Sequence, residues 1–159
     1  MASTYEKIAT NTLSSASSTI TFSSISGAYT DLVLVINGAL TGSAVKLIKF
    51  NGDTAANYSI TTLVGTSAGA SSGEYAESYI DVANSSTASF MNTVKIMNYS
   101  NTTTYKTFLA RQDASTTTVE QIVGLWRSTA AITSFTITTS SNSVASGSTF
   151  TLYGILKAA

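Results

Sequence analysis

What most constrains this chain is a succession of short apolar segments divided by clusters of Gly, Asn, Ser and Asp. They fall at residues 18–22, 31–40, 44–50, 58–64, 77–82, 88–97, 105–111, 119–126, 132–138 and 149–156. Helices become locally favourable only at about 12–15 residues, whereas strands are this short and, in sandwiches and barrels, this closely spaced. Alternation agrees with strands. Ile20 and Phe22 oppose Thr19 and Thr21, and Thr133, Phe135 and Ile137 oppose Ser134, Thr136 and Thr138, as expected of a surface buried on one side. The run Leu32 to Ile36 is continuously apolar, which predicts a strand covered on both faces.

The connections are read from turn chemistry. Asn37-Gly38 and Asn51-Gly52 follow apolar runs, where a chain reversal or a positive φ is expected. Residues 65–73, GTSAGASSG, have the composition of a long surface loop. The best helical candidate is a single turn around Thr54 to Tyr58. Residues 1–17 are polar, with isolated apolar positions at Tyr5, Ile8 and Leu13, and read as an extended N-terminal arm. The expectation is one antiparallel all-β sandwich of about eight to ten strands over residues 18–159, preceded by that arm.

Composition narrows the function classes. A chain of 159 residues buries a core within one domain. No apolar run reaches the roughly 20 residues that span a bilayer, and no leader pattern opens the chain, so no membrane partner is expected. Cysteine is absent, which excludes disulfides and thiolate chemistry. Charged residues make up 10% and cancel to a formal net charge of zero, against about 25% in an ordinary soluble domain. Such a surface lacks self-repulsion and suits a protein packed against neighbours. With no run of Lys or Arg, nucleic acid is not an expected partner. Proline is also absent, so edge strands must be covered, charged or paired in other ways. About a third of the chain is Ser or Thr, and the abundant Val, Ile, Thr, Tyr and Phe place that bias on strand faces rather than in a disordered tract.

Without histidine, no Ser-His-Asp triad, histidine base or His-rich zinc site can form, and a Ser-Lys pair is no more than chance adjacency in so serine-rich a chain. Glu74, Glu77 and Asp81 could supply a glycosidase carboxylate pair, but read more simply as solvated strand ends. Asp31, Asp53, Asp81 and Asp113 lack calcium-loop spacing. Triplets at Asn57, Asn84, Asn98 and Asn101 match the glycosylation pattern, which such a composition produces by accident. Trp126, Tyr99 and Tyr105 could stack on sugar. Trp126 shares a strand face with Ile122 and Gly124, however, and reads as core. The expectation is no enzyme, no catalytic residue, no metal and no cofactor.

Four pieces of the sequence carry a resemblance. They are Thr4-Tyr5-Glu6-Lys7-Ile8-Ala9; Ile20 to Ile25 with Tyr29 to Leu34; Phe50-Asn51-Gly52-Asp53 with Asn57-Tyr58-Ser59; and Gly147 to Ile155 (GSTFTLYGI). In this order they resemble a group of tailed-bacteriophage virion proteins, over nearly the whole chain. The resemblance implies a jelly-roll-like sandwich in the virion, either a capsid decoration (cement) protein or a tail or fibre module binding host-surface glycan. A short chain without shaft repeats favours decoration on the capsid exterior. Partners are then other copies, as a homotrimer, and the major capsid protein. In that setting Tyr5, Ile8 and Leu13 are candidate arm anchors on a neighbour, the alternative being that the arm packs on its own domain as an edge strand.

Overall fold

The computed structural model describes residues 4–66, 69–85, 89–114 and 118–156. Among them lie twelve strands and no helix: β1 (Tyr5–Thr12), β2 (Thr19–Phe22), β3 (Asp31–Gly38), β4 (Ala44–Phe50), β5 (Tyr58–Thr66), β6 (Gly69–Glu77), β7 (Ile80–Ser85), β8 (Phe90–Met97), β9 (Lys106–Ala114), β10 (Thr118–Trp126), β11 (Phe135–Thr139) and β12 (Thr149–Ile155). Every pairing is antiparallel. The strands form an eight-stranded sheet, β1-β12-β3-β8-β9-β10-β5-β6, and a four-stranded sheet, β2-β11-β4-β7. The chain is an all-β, jelly-roll-like sandwich.

Alternation builds the core between the sheets. In β4, Ala44, Lys46, Ile48 and Phe50 face inward; in β8, Phe90, Asn92, Val94 and Ile96 do. Across the gap Phe50 lies among the rings of Phe108, Tyr58 and Trp126, with centroids 5.5–6.4 Å apart. Leu32, Leu34 and Ile36 of β3 are fully buried, and Val33 on the opposite face is only 9% exposed. This central strand is thus covered inside and largely shielded outside by its neighbours.

Three expectations need correction. Residues 65–73 are not a long loop, because β5 and β6 run through them as a hairpin from Tyr58↔Glu77 to Thr66↔Gly69, with residues 67–68 outside the described part. Backbone pairing decided this against composition. Thr54 to Tyr58 forms no helical turn. At Asn37-Gly38 the backbone stays extended in β3, and glycine is needed for space: a Cβ at Gly38 would lie 2.3 Å from Ser148 Oγ. Of the two readings of the arm, the edge strand is the one seen here: Tyr5–Thr12 is strand β1 at the edge of the large sheet, paired with β12 of the same chain from Tyr5↔Ile155 to Thr12↔Thr149 around a bulge between Lys7 and Ala9.

Candidate assembly surface

The large sheet turns one face to the core and leaves the other to solvent. Two outward rows follow from the register: Val33-Lys95-Leu109-Val123-Thr61 and Val35-Thr93-Arg111-Gln121-Leu63. Leu63, Met91, Val119 and Val123 are each more than half exposed on this side. Met91, Thr93, Arg111, Gln112 and Val119 line a depression of about 110 Å³. Lys95 Nζ makes an ion pair with Asp31 Oδ2 at 3.1 Å, an exposed contact of small energetic value. Clustered exposed apolar side chains on one sheet face mark a surface suited to association.

The candidate arm anchors divide. Leu13 is buried in this chain's own core, Ile8 is half-buried against it, and Leu13 exchanges backbone hydrogen bonds with Gly147 and Ser148. Both are therefore used within the chain. Tyr5 is exposed and meets Tyr153 edge-on at 6.5 Å.

The other sequence candidates are scattered or already engaged. The side chains of Glu74, Asp81, Asn84 and Asp113 lie outside the described residues. Asp31 accepts from the Asn98 backbone N–H at 2.8 Å besides pairing with Lys95. No group of three or more metal-ligating side chains occurs among the described residues. Trp126 and Tyr99 are buried and Tyr105 is exposed, so the three aromatics do not form one platform. Asn57 donates to Asp53, and Asn101 Oδ1 caps the backbone N–H groups of Thr103 and Thr104.

Asp53 organises a knot that spacing alone did not reveal. Asn51 and Gly52 both have positive φ, 50° and 70°, and the Asp53 N–H closes the turn on Phe50 O at 2.9 Å. This is the primed turn that Asn-Gly favours. Asn51 then holds the 131–134 segment, donating to Ala131 O and accepting from the Thr133 and Ser134 N–H groups. Asp53 Oδ2 accepts from Trp126 Nε1 at 2.8 Å and Asn57 Nδ2 at 2.9 Å, while Oδ1 accepts from the Ala55 N–H. Burial alone would raise the Asp53 carboxyl, but hydrogen bonds from Asn57, Trp126 and Ala55 together hold it below its ordinary 3.8.

The sign of the pH dependence follows. A carboxyl with a depressed folded pKa stabilises fully above its unfolded value and loses that contribution as pH falls through the folded one. The stability advantage of the wild type over Asp53→Asn, followed by denaturant titration, is expected to hold at neutral pH and shrink below about pH 4. An advantage unchanged down to about pH 2 would contradict this.

Sequence reasoning also passed over six polar side chains that are buried among the described residues: Lys46, Asn92, Lys106, Gln112, Glu120 and Ser148. Their signal was present, since Lys46 is in phase with Ala44, Ile48 and Phe50, and Asn92 with Phe90 and Val94. Ser148 Oγ accepts from the Ala39 N–H. Lys106 Nζ donates to Thr104 O and Thr129 O at 2.8 and 3.2 Å, and burial lowers its pKa. Lys46 Nζ lies 3.7 Å from the centroid of the Phe90 ring, Asn92 Nδ2 donates to Val82 O at 3.3 Å, and Gln112 Nε2 donates to Glu120 Oε2.

No family model matches this chain, and no curated protein matches it. Among solved structures, an alginate lyase, Aly36B, is similar at 12% identity with a TM-score of 0.36, over 94% of this chain and 81% of that one. The siderocalin Ex-FABP is similar at 14% identity with a TM-score of 0.19, over 65% of this chain and 76% of that one. At such scores neither likeness bears on fold or activity.

Proposed function

We propose that this protein is a structural component of a tailed-bacteriophage virion, a capsid decoration protein that acts as a homotrimer and bridges neighbouring major capsid subunits. One observation carries the proposal: the pieces of sequence that resemble such virion proteins coincide with contacts the sandwich depends on. Tyr29, from the second piece, lies where a Cβ on Gly154, from the last, would stand, 2.3–2.6 Å from its ring carbons. The third piece contains the Asn51-Gly52-Asp53 knot. The last begins with Gly147 at φ 84° and continues through Ser148, packed against Gly38. A likeness seated on fold-determining contacts is a likeness of architecture.

Bridging of this kind works by buried area rather than by one strong bond. The outward apolar positions Leu63, Met91, Val119 and Val123 provide that area. Of the arm anchors, Tyr5 on the edge strand is the exposed one.

The test is copy number per purified virion, quantified against the major coat protein. Hundreds of copies in simple ratio to the coat protein are expected. A few copies, or a few tens, would overturn decoration and move the protein to the tail, where binding of host-surface glycan becomes the function to measure.

A further inference from the structure

The two sheets have four edges, β1 and β6 on the large one and β2 and β7 on the small one. An edge strand offers unpaired N–H and C=O groups to any extended chain, and proteins ordinarily blunt it with a bulge, a charged side chain, proline or shortness. Proline is absent here, and three of the edges carry other devices. β1 bulges at Ile8, the residue left over between the pairs Lys7↔Tyr153 and Ala9↔Leu152, and exposes Glu6 and Lys7 beside the bulge. β7 bulges at Val82, left over between Lys46↔Ala83 and Leu47↔Asp81. β2 is only four residues long. β6 is neither short nor bulged. It runs for nine residues, Gly69–Glu77, in unbroken register against β5, and among the described residues no strand pairs with its other side. Its opening stretch, Gly69-Ala70-Ser71-Ser72-Gly73, holds only small uncharged residue types, and the first charge is Glu74.

We propose that β6 is a docking edge for a second copy of this chain, whose own β6 adds to it antiparallel about a two-fold axis at Ser71. A two-fold axis brings the same patch of both copies together, and two identical strands related in this way run antiparallel, as every pair within the chain already does. In this register Gly69 meets Gly73, Ala70 meets Ser72, and Ser71 meets its counterpart, so no charge opposes a like charge. The two Glu74 residues fall on opposite sides of the axis, about 20 Å apart along the strands at about 3.3 Å per residue. The other edge of the same sheet is a poorer partner, because the bulge at Ile8 interrupts β1. A formal net charge of zero leaves little long-range repulsion between copies. The pairing joins the two large sheets into one. It is distinct from the three-fold contact of the proposed homotrimer and does not depend on it.

The chain has no cysteine, so one introduced thiol reports the contact. Residues opposite each other in an antiparallel pair stand about 4.5–5.5 Å apart at Cα, within the range of about 4.4–6.8 Å that a disulfide spans. Under mild oxidation the full chain carrying Ser71→Cys is expected to give a disulfide-linked dimer as its main product, and Thr21→Cys, at an exposed position of β2, only traces. Ser71→Lys sets like charges opposite each other and is expected to halve the particle mass in light scattering while keeping the far-UV circular dichroism of the wild type. Cross-linking of Ser71→Cys no greater than that of Thr21→Cys would overturn the proposal, as would a wild-type mass of one chain throughout a concentration series or an unchanged mass for folded Ser71→Lys. A mass of three chains without excess cross-linking would overturn the β6 contact and leave the homotrimer standing.

Discussion

Replacing Trp126 with alanine is expected to destabilise the protein by about 3–5 kcal/mol. Trp126 is 2% exposed, stacks on Tyr58 at 6.4 Å and 17°, and approaches Phe50 at 5.5 Å. Truncation opens a cavity lined by rings that cannot collapse into it, since each is fixed by its own strand. A second loss adds to the first, because Trp126 Nε1 donates to Asp53 Oδ2 and Asp53 positions Asn57 and the turn after β4. Trp126→Phe separates the two terms. It retains most of the ring packing and loses the donor, so its expected cost is about 1–2 kcal/mol. Equilibrium denaturant unfolding of both variants measures this. A cost for Trp126→Ala below about 1 kcal/mol would show that the cluster repacks freely and that the knot is not central to the fold.

Gly124→Ala is expected to destabilise by about 1–3 kcal/mol, although alanine in place of glycine within a strand ordinarily stabilises by about 0.4–1 kcal/mol through the unfolded chain. The sign reverses because there is no room. A Cβ at Gly124 would stand 1.6 Å from Cζ and 2.0 Å from Cε1 of Phe108, its register partner on β9. Phe108 is fully buried and meets Phe50 edge-on at 6.4 Å, so its ring cannot move aside. Gly154 is the internal comparison. Its Cβ would strike the Tyr29 ring at 2.3–2.6 Å, but Tyr29 is only half-buried and can swing outward. Gly154→Ala should cost less than Gly124→Ala under the same denaturation assay; the reverse order would show that the inner ring yields more easily than the outer one.

Much of the architecture was legible because the core is two-sided and its strands alternate. β4 coincides with the expected 44–50 segment, and most other expected strands differ by a few residues at their ends. The Asn51-Gly52 turn was legible for the same local reason, since its dihedrals belong to those two residue types. The candidate site was less so. Of the three arm anchors, Leu13 and Ile8 contribute to this chain's core and Tyr5 remains exposed, a division that apolar spacing cannot show. Lys46, Asn92 and Glu120 occupied inward phases in plain view, yet a polar side chain in an apolar phase does not reveal what it will face from another strand.

By itself the sequence determined the strand pattern, the all-β class and the absence of histidine, cysteine and proline chemistry, because these depend on residue type and short-range alternation. Tertiary structure alone decided the two outer strands of the large sheet, β1 and β6, whose side chains are weakly apolar and whose order comes from the backbone groups of β12 and β5 beside them. It also decided which glycines stand under a ring and which buried polar side chains meet, as Gln112 and Glu120 do. Gly124 and Phe108 are 16 positions apart and Gly154 and Tyr29 are 125 apart, and no local pattern encodes such contacts.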